Sequence, residues 1–387
     1  MKSAISLARL IALCLCSAEL STAVYAQQTT SPNTAAEYED LAAAARLAQS
    51  NHALTAAGER GATLEQKRAA VSDADMVHAL DLLRSWLDGP AVPPPAPDPD
   101  AAGIGHMVPG LLTLARFIAV RNYVLLANGR VSEAIEGVRD GLRLSYAIGN
   151  SSVLAWQSGY VIEEMLIDSL MPHLDRFSAV DCDRLLRLAR EWTDSYDTLP
   201  AALDLTRRAA VMRIRRAANP NSVKDIIQEM SESTDGAEMA AQMQGLSAQA
   251  IQQTMESSGM AVDAAYGSVL LELSTPYWQR QQAADRVRAA AKPVDPMVQQ
   301  IVNMAMPHIS KTLNRYTQVQ ATARLIGCHA AIRRYRWEHD AMPPSLAELK
   351  LGDMAIDPFT GKQFVYKPEG SNYTITAKAP TGLGLAG

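Results

Sequence analysis

"LLTLARFIAVRNYVLLANGRVSEAIEGVRDGLRLSYAIGN", Leu111 to Asn150, is the stretch that decides the fold class. Asn128-Gly129 breaks it into two helical halves. In the second half Val131, Ala134, Ile135, Val138 and Leu142 recur at helical spacing. Glu133, Glu136, Arg139, Asp140 and Arg143 occupy the other faces. Two helices joined by so short a turn pack antiparallel. The whole chain is 48% hydrophobic but holds only four Phe against abundant Ala and Leu. That balance favours helices packed through small and aliphatic side chains over a sheet. The expected architecture is mainly α, an antiparallel helical array with a small helix-plus-β-hairpin module at its C-terminal end.

Upstream of this pair, residues 1–26 read as a secretory signal. Lys2 and Arg9 make a positive n-region, "LIALCLCSA" (Leu10 to Ala18) a short apolar h-region, and "VYA" (Val24 to Ala26) a cleavage site after Ala26. The apolar run is far shorter than the ~20 residues that cross a bilayer. An exported location, periplasmic or extracellular, follows as the expectation, with no membrane span left after cleavage. Cleavage removes Lys2, Arg9 and Glu19, taking 36 basic and 41 acidic side chains to 34 and 40, a formal charge of −6. A mildly acidic exported chain has no electrostatic case for nucleic acid. Two of the four cysteines, Cys14 and Cys16, leave with the signal. Cys182 and Cys328 remain where a disulfide would persist, and they read equally well as two separately buried small side chains.

Residues 27–89 form an N-terminal helical segment. "AEYEDLAAAARLAQ" (Ala36 to Gln49) opens it, and a second helix starts near Ser72 as N-cap, with Asp75 in the capping-box position and Gly89 as its stop. "PAVPPPAPDPDAAG" (residues 90–103) is a stiff, extended connector. The helical body spans 104–320. A helix from Val153 to Met171 is apolar on most faces, and another is capped by Ser178 with Asp181. Leu199 to Pro220 is helical. Asn221 to Ser258, polar and rich in Met and Gln, has weak periodicity and reads as loosely packed. Helices resume over Val262 to Ala291 and Val294 to Trp337, with a break at Pro307.

The module, residues 321–379, reads as a long helix, a stop at Pro343-Pro344, a turn of helix capped by Ser345, a "DPFTG" turn and a hairpin. In the hairpin "KQFVYK" and "NYTITAK" flank "PEGS". Residues 380–387 are a tail. On Tyr335, Pro344, Ser345, Leu346, Leu349, Asp357, Pro358, Gly361 and Tyr366 the module resembles the C-terminal half of type II secretion major pseudopilins. The chain departs from those proteins in placing some 300 mostly helical residues ahead of the motif. The spacing of Gly129 and Ala134 resembles the turn and second helix of a tetratricopeptide unit, without a second copy at a 34-residue period. The order of signal, connector, helical body and "DPFTGK" ending also resembles exported helical proteins of planctomycete-type bacteria. That resemblance implies architecture and brings no activity, substrate or catalytic residue.

No motif for metal, phosphate, dinucleotide or nucleophilic chemistry occurs. Met304, Met306 and His308 would suit Cu(I), yet methionines fill apolar helix faces routinely. Glu163-Glu164 lie in the most apolar helix, where a buried carboxyl acquires a raised pKa suited to acid–base work. Adjacent helical positions point about 100° apart, so at least one of the pair reaches the surface or an arginine. Trp337 to Asp340 ("WEHD") gathers two acids and an imidazole at a helix end. Arg207, Arg208, Arg213, Arg215 and Arg216 suggest contact with an anionic surface or a helix paired with nearby acids. Asp353 and Asp357 are oxygen donors for calcium, too few for the six to eight ligands it takes. For each of these the packing account outweighs the chemical one, so no catalytic, cofactor or metal residue is assigned. The leading expectation is a non-enzymatic envelope scaffold that binds another exported protein, possible machinery being secretion or pili. The alternative is an exported hydrolase with its site between helices.

Overall fold

The structure, a computed structural model, describes residues 38–51, 54, 57–58, 61–89, 105–195, 198–219, 237–280, 295–306 and 309–378. The expected signal and connector, residues 220–236, the stretch 281–294 and the tail lie outside the described residues. The protein is mostly helical, with a small region of two strand pairs.

Helices α1 (Glu39–Gln49), α2 (Leu64–Val71) and α3 (Ala74–Asp88) precede α4 (Val108–Ala127), α5 (Val131–Gly149) and α6 (Val153–Leu170). Each of these last three packs on the other two, while α1 lies between α3 and α4. The N-cap of α3 is Asp73, whose carboxylate accepts from Met76 N–H. Ser72, expected in that role, instead donates its hydroxyl to the Arg68 carbonyl and closes α2, a helix not expected from the sequence. Gly105–Ala127 is long and apolar enough to cross a membrane by length and composition, but 61% of its most apolar window is buried inside the fold. Such a helix, apolar on every side, is what a position between α1, α5 and α6 requires.

After a 3₁₀ turn at Met171–Arg176 come α7 (Ala179–Ser195) and α8 (Leu199–Ala217). The Ser178–Asp181 box starts α7 as expected: Ser178 N–H donates to the Asp181 carboxylate at 3.2 Å, and Asp181 N–H to the Ser178 hydroxyl at 3.2 Å. Then follow α9 (Ala237–Gln244), α10 (Ala248–Leu273), α11 (Pro296–Ala305) and α12 (Ile309–His339). The region expected to be loose holds the first turns of α10, capped by Ser247. Ile251, Met255, Ser258, Gly259 and Val262 form its buried stripe. Ser and Gly in that stripe weaken the hydrophobic signal without weakening the packing.

Among the described residues two apolar cores result. The first gathers α1, α3 to α7, the C-terminal half of α12 and the module. The second gathers α8, α10, α11 and the N-terminal part of α12. Two helices belong to both. Leu313 and Tyr316 of α12 enter the second core, whereas Leu325, Ile326 and Ile332 enter the first. Trp156 of α6 reaches the second core while Ile162 and Leu166 stay in the first.

In the module, 3₁₀ turns at Leu346–Leu349 and Gly352–Ala355 lead to β1 (Ile356–Asp357), β2 (Lys362–Gln363), β3 (Val365–Glu369) and β4 (Asn372–Thr376). β3 and β4 pair antiparallel, with Glu369 opposite Asn372 and Gly370 at φ +64° in the two-residue turn. β1, not anticipated as a strand, pairs antiparallel around the "DPFTG" turn with β2, the first two residues of the expected "KQFVYK" strand. Three residues of the module have mechanical tasks here. Tyr366 donates its hydroxyl to the Pro343 carbonyl at 2.9 Å, Leu346 is buried, and Gly361 sits at φ +68° against the Trp278 indole.

Candidate functional site

The titratable side chains that the sequence singled out inside a helix, Glu163 and Glu164, lie where the two cores meet. α6 begins at Ser152, whose hydroxyl accepts from Ala155 N–H, and it is enclosed by α4 and α5 with lighter contacts to α8 and α12. One residue of helical rotation sends the two carboxyls to different neighbours. Glu163 turns to α5, where the Ser145 hydroxyl donates to its Oε1 at 2.7 Å. Its Oε2 has no hydrogen-bond partner among the described residues, and the residue is 9% exposed. Burial pushes its carboxyl up to about 8; the Ser145 hydrogen bond opposes the shift and the charge of Glu164 adds to it.

Glu164 turns to α12. The Tyr160 hydroxyl, one turn back, donates to its carboxylate, and the Arg315 guanidinium lies 5.3 Å from the centre of the Tyr160 ring. Burial raises the Glu164 carboxyl, while the Tyr160 hydrogen bond and Arg315 pull it down. Burial, then Glu164, drives the Tyr160 phenol well above its ordinary range. Trp156 stacks on Tyr160 at 6.4 Å and faces Tyr316 of α12 at 6.5 Å. Gln157 donates to the Thr312 hydroxyl at 3.0 Å. This seam is polar and aromatic between two apolar cores. No protein-family model, curated protein or solved structure matches this chain.

A second cluster joins α12 to the hairpin. His329 Nδ1 lies 2.7 Å from the Tyr373 hydroxyl, and the Arg333 guanidinium, paired with Asp175, sits 5.8 Å from the Tyr373 ring centre. Burial, then the Arg333 charge, pushes His329 down to about 4, and burial pushes Tyr373 up to about 12. A neutral imidazole in the fold opposes a protonated one in the unfolded chain. Stability from this group is therefore complete above pH 6.5 and is lost as pH falls toward 4, by about 3 kcal/mol. Thermal melts of a His329→Gln variant, which keeps an acceptor for Tyr373, are expected to show a flatter decline over that interval. Curves parallel to wild type would refute the assignment.

The remaining sequence candidates are dispersed or occupied. Met304 is exposed and Met306 packs on the second core, while His308 lies outside the described residues. Arg207 pairs with Asp204 at 2.6 Å and Asp263 at 3.2 Å, and Arg208 also pairs with Asp204. Arg213, Arg215 and Arg216 are exposed. In "WEHD", the Trp337 indole donates to the Phe177 carbonyl at 2.9 Å, Glu338 lies 3.4 Å from Arg334, and His339 stacks on Tyr335 at 3.9 Å. Asp340 ends the helix at φ +52°. Asp357 spends its carboxylate on the Phe359 and Lys378 N–H groups, both at 2.9 Å, and on the Thr360 hydroxyl. Asp353 lies near enough to Arg324 to favour its charge. Cys182 and Cys328 are free and buried, and burial raises their thiols to about 11 and about 12. Such thiols are inert as nucleophiles. Among the described residues no group of three His, Cys, Asp or Glu side chains is placed to hold a metal ion.

Ser145, Arg315, His329 and Tyr373 were not singled out in the sequence. The Tyr160–Glu164 spacing of four is a visible helix pair. The other contacts join residues distant in the chain and leave no local mark.

Proposed function

We propose that this chain is a non-enzymatic, exported helical scaffold that binds another protein of the cell envelope, the partner class being secretion or pilus machinery. The observation that carries the reading is the outward face of α10. Met260 is 69% exposed and Leu271 72%, and between them Ala264 is exposed and an added Cβ at Gly267 would touch nothing. These positions fall at helical spacing on one side, an apolar stripe that a helix facing only water does not need. Glu163, Glu164, His329 and Asp357, by contrast, each have a hydrogen-bond partner within the fold. The pseudopilin-like ending and the tetratricopeptide-like spacing in the α4–α5 hairpin belong to the same reading, since both resemblances are to assembly elements.

Affinity purification of the exported protein from its own cells tests it. Recovery of secretion or pilus components with wild type, reduced at least tenfold with Met260→Glu/Leu271→Glu, is the expected result. Recovery of the protein alone, together with turnover of a hydrolase substrate panel, would replace the scaffold by an enzyme.

A further inference from the structure

The contact between α5 and α6 is unusually close at the level of Glu163. A Cβ on Gly159 would lie 2.8 Å from the Ser145 hydroxyl and 2.9 Å from the Ser145 carbonyl, and one on Gly141 would run into Leu166. The helices therefore meet backbone to backbone, and Glu163 is buried at their contact. Its carboxyl is held there by one hydroxyl, with the second oxygen unpartnered among the described residues.

Charge offers Glu163 no relief. From its own helix, Glu164 follows it and Tyr160 lies one turn back; from α5, among the described residues, Ser145 bonds it. Arg315 of α12 spends its field on Tyr160 and Glu164. Among the described residues, α4, α8 and the Met171–Arg176 turn bring no charge that bears on it. A carboxylate ion sealed between helices without a cation is strongly disfavoured, whereas the neutral acid costs far less.

We propose that the α5–α6 seam is an acid-closed latch: it is shut while Glu163 carries its proton and loosens when that proton leaves. Loosening reaches beyond the seam, because α6 also carries Trp156 into the second core and Tyr160 against α12. The direction follows from linkage. The unfolded chain gives up this proton near the ordinary value of 4.5, the folded one near 8. Stability is thus complete at low pH and is lost as pH rises between those values.

The test compares thermal melts of wild type and Glu163→Gln from pH 5 to pH 9, with hydrogen exchange read on α5 and α6 peptides. Wild type is expected to lose about 5–10 °C in melting temperature between pH 5 and pH 8 that the variant keeps, with faster exchange confined first to those peptides. Equal slopes in the two proteins would overturn the proposal. Should the variant not fold, glutamate-labelled wild type is read by infrared spectroscopy. A protonated carboxyl band at pH 7 that vanishes by pH 9 supports the latch, and no such band at pH 7 overturns it.

Discussion

Asp357→Ala is expected to destabilise the C-terminal module by about 3 kcal/mol, enough to lower the melting temperature by several degrees and expose the hairpin to protease. Asp357 is 1% exposed, yet its pairing is made of backbone and hydroxyl donors. Its Oδ1 accepts from Phe359 N–H at 2.9 Å, and its Oδ2 from Lys378 N–H at 2.9 Å and the Thr360 hydroxyl at 3.3 Å. Its own carbonyl accepts from Gly361 N–H at 2.8 Å. One residue thus closes the turn between β1 and β2 and ties down the chain that leaves β4. Alanine strands buried donors whose desolvation is already spent, which costs more than the net worth of the bonds themselves. Asp357→Asn keeps an acceptor for Phe359 but loses charge and turns an amide toward the other donors, so its loss should be about half. Limited proteolysis at Lys362, followed by mass, separates the three proteins. Equal cleavage of alanine variant and wild type would show that the turn is held by the packing of Phe359 and Phe364 alone.

The same residue shows what was legible beforehand. "DPFTG" announces a turn because Asp, Pro and Gly have local conformational preferences that need no knowledge of the rest of the chain. Periodic segments such as Val131 to Leu142 announce helices for the same reason, as does the Ser178–Asp181 box. What stayed hidden depends on partners far away. Whether Asp357 faced solvent, calcium or its own backbone was decided by Lys378, twenty-one positions on. Glu163 was recognisable as a carboxyl in an apolar helix, but its neighbour could not be named, because Ser145 comes from α5 and small residues give no periodic signal. The split into two cores was equally unreadable: α12 is one uninterrupted helix whose apolar residues simply change sides along its length. The outward face of α10 escaped notice for a related reason, since Met260 and Leu271 look like core residues until the helix phase is known.

Gly110→Ala is expected to have the other large effect, a loss of about 2–4 kcal/mol with α1 displaced from α4. Nothing in the sequence announces the task of this glycine, which follows Pro109 in the first turn of α4. The structure gives it a reason. α1 crosses α4 so closely that a Cβ at Gly110 would fall within 2.6 Å of the Ala45 carbonyl carbon and 2.8 Å of its Cα. Backbone cannot move aside as a flexible side chain can, so the whole of α1 must shift, drawing Leu41, Ala44 and Ala48 out of the first core. A single methyl there opposes the burial of an entire helix face. The control is Gly267→Ala in α10, where an added Cβ meets nothing and alanine is the better helix former. That variant should gain about 0.5–1 kcal/mol. Chemical denaturation of the two variants therefore separates close packing from helix propensity. If Gly110→Ala behaved like Gly267→Ala, α1 and α4 would not meet backbone to backbone, and the N-terminal helices would not belong to the first core.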